Sequence, residues 1–168
     1  MIKPTEVKDK AQKLEEQNYK FRVFLKNRAD YDELDMQFSG LHKELFARYD
    51  CCKCANCCKS YTIILADDEV KRISAFLKMT DRDFTIEYLS DADTDDEKPY
   101  KFAKKPCSFL DSDGRCRIQE CKPDVCTGFP YTAQPDRLAS MYGVIEHAEV
   151  CPIVFEILER LKKIYRFG

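Results

Sequence analysis

The run CCKCANCC at residues 51–58 constrains this chain more than any other feature of its sequence. Two residues separate Cys51 from Cys54 and Cys54 from Cys57, and Cys58 follows directly. Two-residue gaps let the backbone curl so that successive sulfur atoms converge on one ion or cluster. The run therefore predicts a metal site made of thiolates.

Three convergent thiolates leave a four-coordinate ion or a cubane cluster one ligand short, so at least one distant cysteine has to complete the shell. The downstream candidates are Cys107, Cys116, Cys121, Cys126 and Cys151. Zinc and iron-sulfur clusters both accept thiolate ligands, and the triple spacing favours a 4Fe-4S cluster over zinc. Spacing alone leaves open whether one centre or two would form.

The meaning of ten cysteines depends on the cellular compartment, because thiols stay reduced in the cytosol and pair in oxidising spaces. Residues 1–18 contain neither the apolar segment nor the cleavage site of a secretory signal. No stretch approaches the ~20 apolar residues of a membrane span. We therefore predict a cytoplasmic protein with reduced thiols. A disulfide framework is the alternative, although an adjacent pair such as Cys57 and Cys58 would bridge only with strain.

The charge balance bears on the partners of the chain. Lys and Arg total 28 against 30 Asp and Glu, which gives no broad field to attract nucleic acid or anionic lipid. We expect neither nucleic acid nor a membrane as partner, and a protein partner stays open.

Apolar periodicity predicts an α+β protein that is mainly helical, with an N-terminal helical pair, a few short strands and a C-terminal helix. One amphipathic helix should run from Val7 to about Leu25, and a second from about Leu34 to Tyr49. Pro152 should begin the C-terminal helix. We expect residues 1–50 to pack on the main domain, and residues 51–168 to form a small cysteine-rich metal-binding domain.

Shorter signals lie between these helices. Residues 61–65 predict a buried strand, and Asp67 and Thr80 are candidate caps of two following helices. Residues 90–98 lack large apolar side chains and predict an exposed acidic loop. The Asp113-Gly114 pair predicts a tight hairpin turn that would hold Cys107 and Cys116 close together.

The two histidines, His42 and His147, stand in no recognisable catalytic or ligand motif, so we expect ordinary packing or surface roles for them.

Several blocks in order resemble the CxxCxxCC family of zinc- or iron-chelating proteins, also called the YkgJ-like cysteine-cluster family. The blocks are the run at 51–58, Cys107-Ser-Phe-Leu, Asp113-Gly-Arg-Cys116, Lys122-Pro-Asp-Val-Cys126-Thr-Gly-Phe-Pro130, and Cys151-Pro152. The resemblance implies eight ligand cysteines: Cys51, Cys54, Cys57, Cys58, Cys107, Cys116, Cys126 and Cys151. Cys52 and Cys121 are extra, and Lys122 and Thr127 stand where the family usually has arginine.

The favoured function is a metal-binding protein whose iron-sulfur cluster or zinc serves electron transfer, sensing, metal handling or structure. A similar cysteine domain in flagellin lysine methylases leaves open a metalloenzyme or an accessory module of protein modification. With only 5 glycines and no glycine-rich nucleotide loop, a methyltransferase site is hard to place. A thiol-redox role for Cys52 and Cys121 is the third alternative. The sequence does not decide whether the protein is an enzyme.

Overall fold

The computed structural model describes residues 1–92 and 99–168 of the chain. The α-helices are α1 Val7–Lys13, α2 Glu15–Arg28, α3 Tyr31–Phe46, α4 Cys51–Cys54, α5 Asn56–Ser60, α6 Asp67–Phe76, α7 Asp81–Tyr88, α8 Asp124–Gly128, α9 Met141–Ala148 and α10 Pro152–Ile164. The strands are β1 Ile64–Leu65, β2 Leu89–Asp91 and β3 Tyr100–Phe102, and a 3-10 helix spans Gln119–Cys121. The prediction of a mainly helical α+β protein is confirmed.

The chain divides into two compact units, one formed by residues 1–50 and 130–168 and the other by residues 51–129. Residue 50 is thus a unit boundary, and the segment after residue 130 groups with the N-terminal helices. The predicted organisation, a helical segment 1–50 packed on a metal-binding domain 51–168, stays a prediction.

The first unit is helical. α10 contacts α9, α3 and α1, and α2 contacts α9. The buried side chains come from the predicted apolar stripes, among them Phe21, Leu25, Phe38, Ile153 and Ile157. The N-terminal stripe is divided between α1 and α2 at Leu14, where we had predicted one helix, and neither proline nor glycine marks that break.

The second unit packs α6 and α7 against a small antiparallel sheet of order β1-β3-β2. Ile64 pairs with Lys101, and Ser90 pairs with Lys101 from the other side. The core is formed by Leu65, Val70, Ile73, Phe84, Leu89, Phe102, Phe109, Ile118 and Cys121. The predicted buried strand is therefore β1, shortened to two residues.

Two predicted caps have different outcomes. The Thr80 side chain accepts a hydrogen bond from the backbone N–H of Asp83 at 3.1 Å, which confirms Thr80 as the cap of α7. Asp67 is instead the first residue of α6, and Ala66 precedes it as the N-cap residue. The carboxylate of Glu69 reaches back to accept from the Ala66 N–H at 2.9 Å, so it satisfies the helix start in place of Asp67.

Of the predicted acidic loop, Ser90 and Asp91 belong to β2, and residues 93–98 lie outside the described residues. No helix in the described part of the chain is long and apolar enough to cross a membrane.

Candidate metal centre

The cysteine run folds into two short helices, α4 and α5, joined by a single left-handed residue. This residue is Ala55, with φ 50° and ψ 19°. Because the backbone turns there, the cysteines of the run do not follow one continuous helix. Cys57 and Cys58 on α5 line a cavity, whereas Cys51 and Cys54 on α4 lie outside its lining.

The predicted hairpin brings two more cysteines to this cavity. Leu110 and Cys116 pair as an antiparallel bridge, and Gly114 occupies the turn with φ 82°. The backbone N–H of Cys107 donates a 2.9 Å hydrogen bond to the carbonyl oxygen of Cys58. The hairpin prediction is confirmed, and the segment that leads into the hairpin is hydrogen-bonded directly to the cysteine run.

Gly114 also lies against the start of the run. A Cβ atom at this position would overlap the carbonyl oxygen of Cys52. The positive φ and this close approach both require glycine. The turn therefore helps to hold α4 against the hairpin.

Cys126 approaches from the short helix α8. Its backbone N–H donates to the carbonyl oxygen of Pro123 at 2.9 Å, and the Thr127 N–H donates to the same oxygen at 3.0 Å. Pro123 is the N-cap residue of α8 and has no N–H to satisfy at this helix start. The helical turn places the thiol of Cys126 on the cavity.

The cavity encloses about 90 Å³ and combines five thiols with a mostly apolar wall. Its lining consists of Cys57, Cys58, Cys107, Cys116 and Cys126 with Tyr61, Ile63, Phe102, Ile118, Lys122, Pro123, Val125 and Phe129. All these residues belong to the second unit. Sulfur donors in an apolar setting suit zinc or an iron-sulfur cluster.

Cys58 is more acidic than the three cavity thiols outside the run. A hydrogen bond from the Cys57 thiol lowers the pKa of Cys58 to about 6, with further help from the Lys122 and Lys59 ammonium groups. The two sulfur atoms lie 4.0 Å apart. Cys58 is therefore the thiol best prepared to bind a metal as a thiolate.

Cys107, Cys116 and Cys126 are held neutral by burial. Desolvation raises the pKa of Cys107 and of Cys116, and raises that of Cys126 to about 12. Neighbouring thiolates add to these shifts, and together the interactions join every pair among Cys58, Cys107, Cys116 and Cys126. The four thiols are thus within electrostatic reach of one another.

The thiols surround a space and do not meet at a point. In residues 1–92 and 99–168, no three His, Cys, Asp or Glu side chains converge closely enough to hold a single metal ion. A cluster binds each thiolate to a different iron and so needs its ligands spread around a cavity. The thiol donors suit such a group, and they suit zinc as well.

The remaining predicted ligands lie elsewhere. Cys51 is exposed and Cys54 is buried on α4, and Cys151 is buried in the first unit, where it precedes α10. Their ligand roles stay predictions. Of the two extra cysteines, Cys121 is buried in the core of the second unit and Cys52 is exposed.

Two functional residues escaped the sequence analysis. Lys122, noted only as a departure from arginine, lines the cavity and lowers the pKa of Cys58, Cys116 and Cys126. Glu69 accepts a 2.8 Å hydrogen bond from the Asp124 N–H at the start of α8. No sequence signal distinguishes Glu69 from the exposed acidic residues beside it.

A family model described as "CxxCxxCC: Putative zinc- or iron-chelating domain" matches residues 50–152. The chain belongs to this family. The match includes every cysteine of the cavity and also Cys151. No curated protein and no solved structure is significantly similar to the chain. Membership in the CxxCxxCC family agrees with a thiolate metal centre and does not specify the metal.

Proposed function

We propose that this protein holds an iron-sulfur cluster of the 4Fe-4S type in the cavity of the second unit, with Cys58, Cys107, Cys116 and Cys126 as its ligands. The observation that carries the proposal is the set of four mutually interacting thiols around one apolar cavity of about 90 Å³. A cubane takes four thiolates, one for each iron. A single zinc would instead draw its thiolates to ~2.3 Å from one centre.

Zinc is the second candidate, and one distance favours it. The Sγ atoms of Cys57 and Cys58 are 4.0 Å apart. Two thiolates on one tetrahedral zinc lie about 3.8 Å apart, given bonds of about 2.3 Å. Binding of zinc by this pair would require Cys107, Cys116 or Cys126 to move inward.

Cys57 has a different role in the cluster proposal. Its thiol donates to the Cys58 sulfur, and hydrogen bonds to ligand sulfur tune the reduction potential of a cluster. The ligand roles of Cys51, Cys54, Cys57 and Cys151 implied by the family stay predictions. Eight thiolates would be enough for two centres.

We propose that the metal centre both stabilises the second unit and transfers electrons. The strands of the second unit are only two or three residues long, so a centre that cross-links α5, the hairpin and α8 adds stability that the sheet lacks. The apolar wall shields the centre from water, which suits electron transfer.

The thiol-redox alternative gains little from Cys121, because burial in the core raises its pKa and makes it a poor nucleophile. Reduced thiols require a reducing compartment, and we propose the cytoplasm.

Anaerobic purification followed by iron, sulfide and zinc analysis tests the proposal. We expect a brown protein with broad visible absorption, equal iron and sulfide, and an electron paramagnetic resonance signal that appears or disappears on reduction. Colourless protein with stoichiometric zinc would replace the cluster with the zinc candidate.

Matched variants assign the ligands. Cys126→Ser should abolish the visible absorption, whereas Cys52→Ser should retain it because Cys52 is exposed and outside the cavity lining. Cys121→Ala provides a buried control outside the lining. Full cluster content in Cys126→Ser would reject the proposed ligand set.

A further inference from the structure

Glu69 is a buried carboxylate whose two oxygens bind two different segments of the second unit. Its side chain lies in the first turn of α6, and the residue is only 2% exposed. Oε2 accepts from the Ala66 N–H at 2.9 Å, and Oε1 accepts from the Asp124 N–H at 2.8 Å. The carboxylate therefore links the start of α6 to the start of α8.

Arg72, one turn further along α6, contacts the same segment from the surface. Its Nη2 donates to the Lys122 carbonyl oxygen at 3.0 Å and to the Asp124 carboxylate at 2.8 Å, and it lies 4.0 Å from Glu69 Oε1. The guanidinium thus helps to balance the buried charge of Glu69. Glu69 and Arg72 together fix the backbone at residues 122 and 124.

These two backbone positions determine where two side chains of the cavity lining lie. Lys122 provides the ammonium group of the cavity, and Asp124 begins the short helix that carries Cys126. The turn is short, and its Cys126 N–H bonds back to Pro123 within the same segment. A shift of the Asp124 N–H would therefore move the Cys126 sulfur with it.

We infer that Glu69 is a positioning residue for the candidate metal centre, setting the location of Cys126 through the start of α8. Its effect on a bound metal rests on the proposed function, whereas its effect on Cys126 does not. Only an anionic carboxylate suits the site, because two N–H donors face two separate oxygens. Glutamine has one acceptor oxygen and would turn an NH₂ group toward the other N–H.

Glu69→Gln in metal-free protein tests the positioning directly. The measurement is the alkylation rate of each cysteine by iodoacetamide, read by mass spectrometry. We expect Cys126 to react at least about threefold faster relative to Cys107 in the same molecule, because it is no longer held in the half-buried cavity wall. Asp67→Asn, an exposed carboxylate change on the same helix, should leave the ratio unchanged.

Arg72→Gln is a second variant for the case that Glu69→Gln does not fold. It removes a contact to the Lys122 carbonyl from the surface side without burying a new amide, and we expect a smaller rise in the same ratio. An unchanged Cys126 rate in both folded variants would overturn the inference. So would an equal rise at Cys107, Cys116 and Cys126, which would indicate general loosening.

The metal-loaded protein provides a separate outcome. At full occupancy, Glu69→Gln should alter the electron paramagnetic resonance line shape of the centre, and Asp67→Asn should not. If the natural sequence binds no metal but the alkylation ratio changes, the proposed function fails and the inference holds. If metal binds and neither readout changes in Glu69→Gln, the inference fails alone.

Discussion

The backbone N–H of Cys107 donates a 2.9 Å hydrogen bond to the carbonyl oxygen of Cys58. This bond joins the cysteine run to the hairpin that carries Cys116, across 49 positions of the chain. Backbone pairing therefore helps to bring two distant groups of cysteines to one cavity.

The hairpin turn depends on Gly114. Gly114→Ala should lower the free energy of unfolding by about 1–3 kcal/mol, because alanine is strained at φ 82° and its Cβ would overlap the Cys52 carbonyl. Denaturant unfolding measures the change. Metal content should fall as well, because the turn positions Cys116, one of the proposed ligands.

Gly40→Ala is the matched control for this change. Gly40 lies inside α3 with no atom near its added Cβ, so alanine should stabilise the protein by about 0.5–1 kcal/mol. Equal effects of the two substitutions would contradict the account of Gly114.

The charge of Lys122 should lower the pKa of the Cys58 thiol. The pKa of Cys58 is lowered first by the Cys57 hydrogen bond and then, against the effect of burial, by the Lys122 charge. Lys122→Gln in metal-free protein should therefore raise the Cys58 pKa, measured from the ultraviolet absorbance of the thiolate across a pH titration. Lys53→Gln, outside the cavity lining, is the control. An identical titration in all three proteins would exclude a role for Lys122.

Metal removal should loosen the second unit most. Binding free energy at a thiolate site is folding free energy and is on the order of 10 kcal/mol for structural zinc. Hydrogen exchange with and without a chelator should show lost protection at Phe109 and Ile118, which lie in the core beside the cavity. Amides of α10 should stay protected, since the first unit has a core of its own. Unchanged exchange after verified metal removal would count against a structural role.

Acid should destabilise the first unit through His42. Burial, with a smaller contribution from Lys43, lowers the pKa of His42 below its ordinary value of about 6.5. The unfolded chain then binds a proton that the folded protein resists, so stability is highest above about pH 6.5 and falls as the pH drops below it. His42→Gln should reduce this fall, measured as the difference in unfolding free energy between about pH 7.5 and pH 5.5. A fall of the same size in the variant would rule out His42 as its source.

The local features that the sequence predicted well are those with strong steric or capping signals. Gly114 takes the turn because other residues avoid its φ, Thr80 caps α7, and Pro152 begins α10. The spacing of the run predicts that Cys51, Cys54 and Cys57 converge, and this stays a prediction. The 4.0 Å approach in the structure is between Cys57 and its neighbour Cys58, and Cys51 and Cys54 lie outside the cavity lining.

The division of the run at the cavity could not be predicted. It depends on the left-handed backbone conformation of Ala55, which alanine rarely adopts. The sequence has no glycine at this position that would predict such a conformation. β2 and β3 were missed because three residues carry too little alternation to indicate a strand. Glu69 was missed because its burial depends on residues 55 positions away.

X-ray absorption at the metal edge of anaerobically purified protein tests the central claim most directly. The account predicts a first shell of sulfur alone at about 2.3 Å, with a short iron-iron distance from the cluster. Loss of that shell in Cys126→Ser, and its retention in Cys52→Ser, would place the centre in the cavity. A first shell dominated by nitrogen or oxygen, or one unaffected by Cys126→Ser, would contradict it.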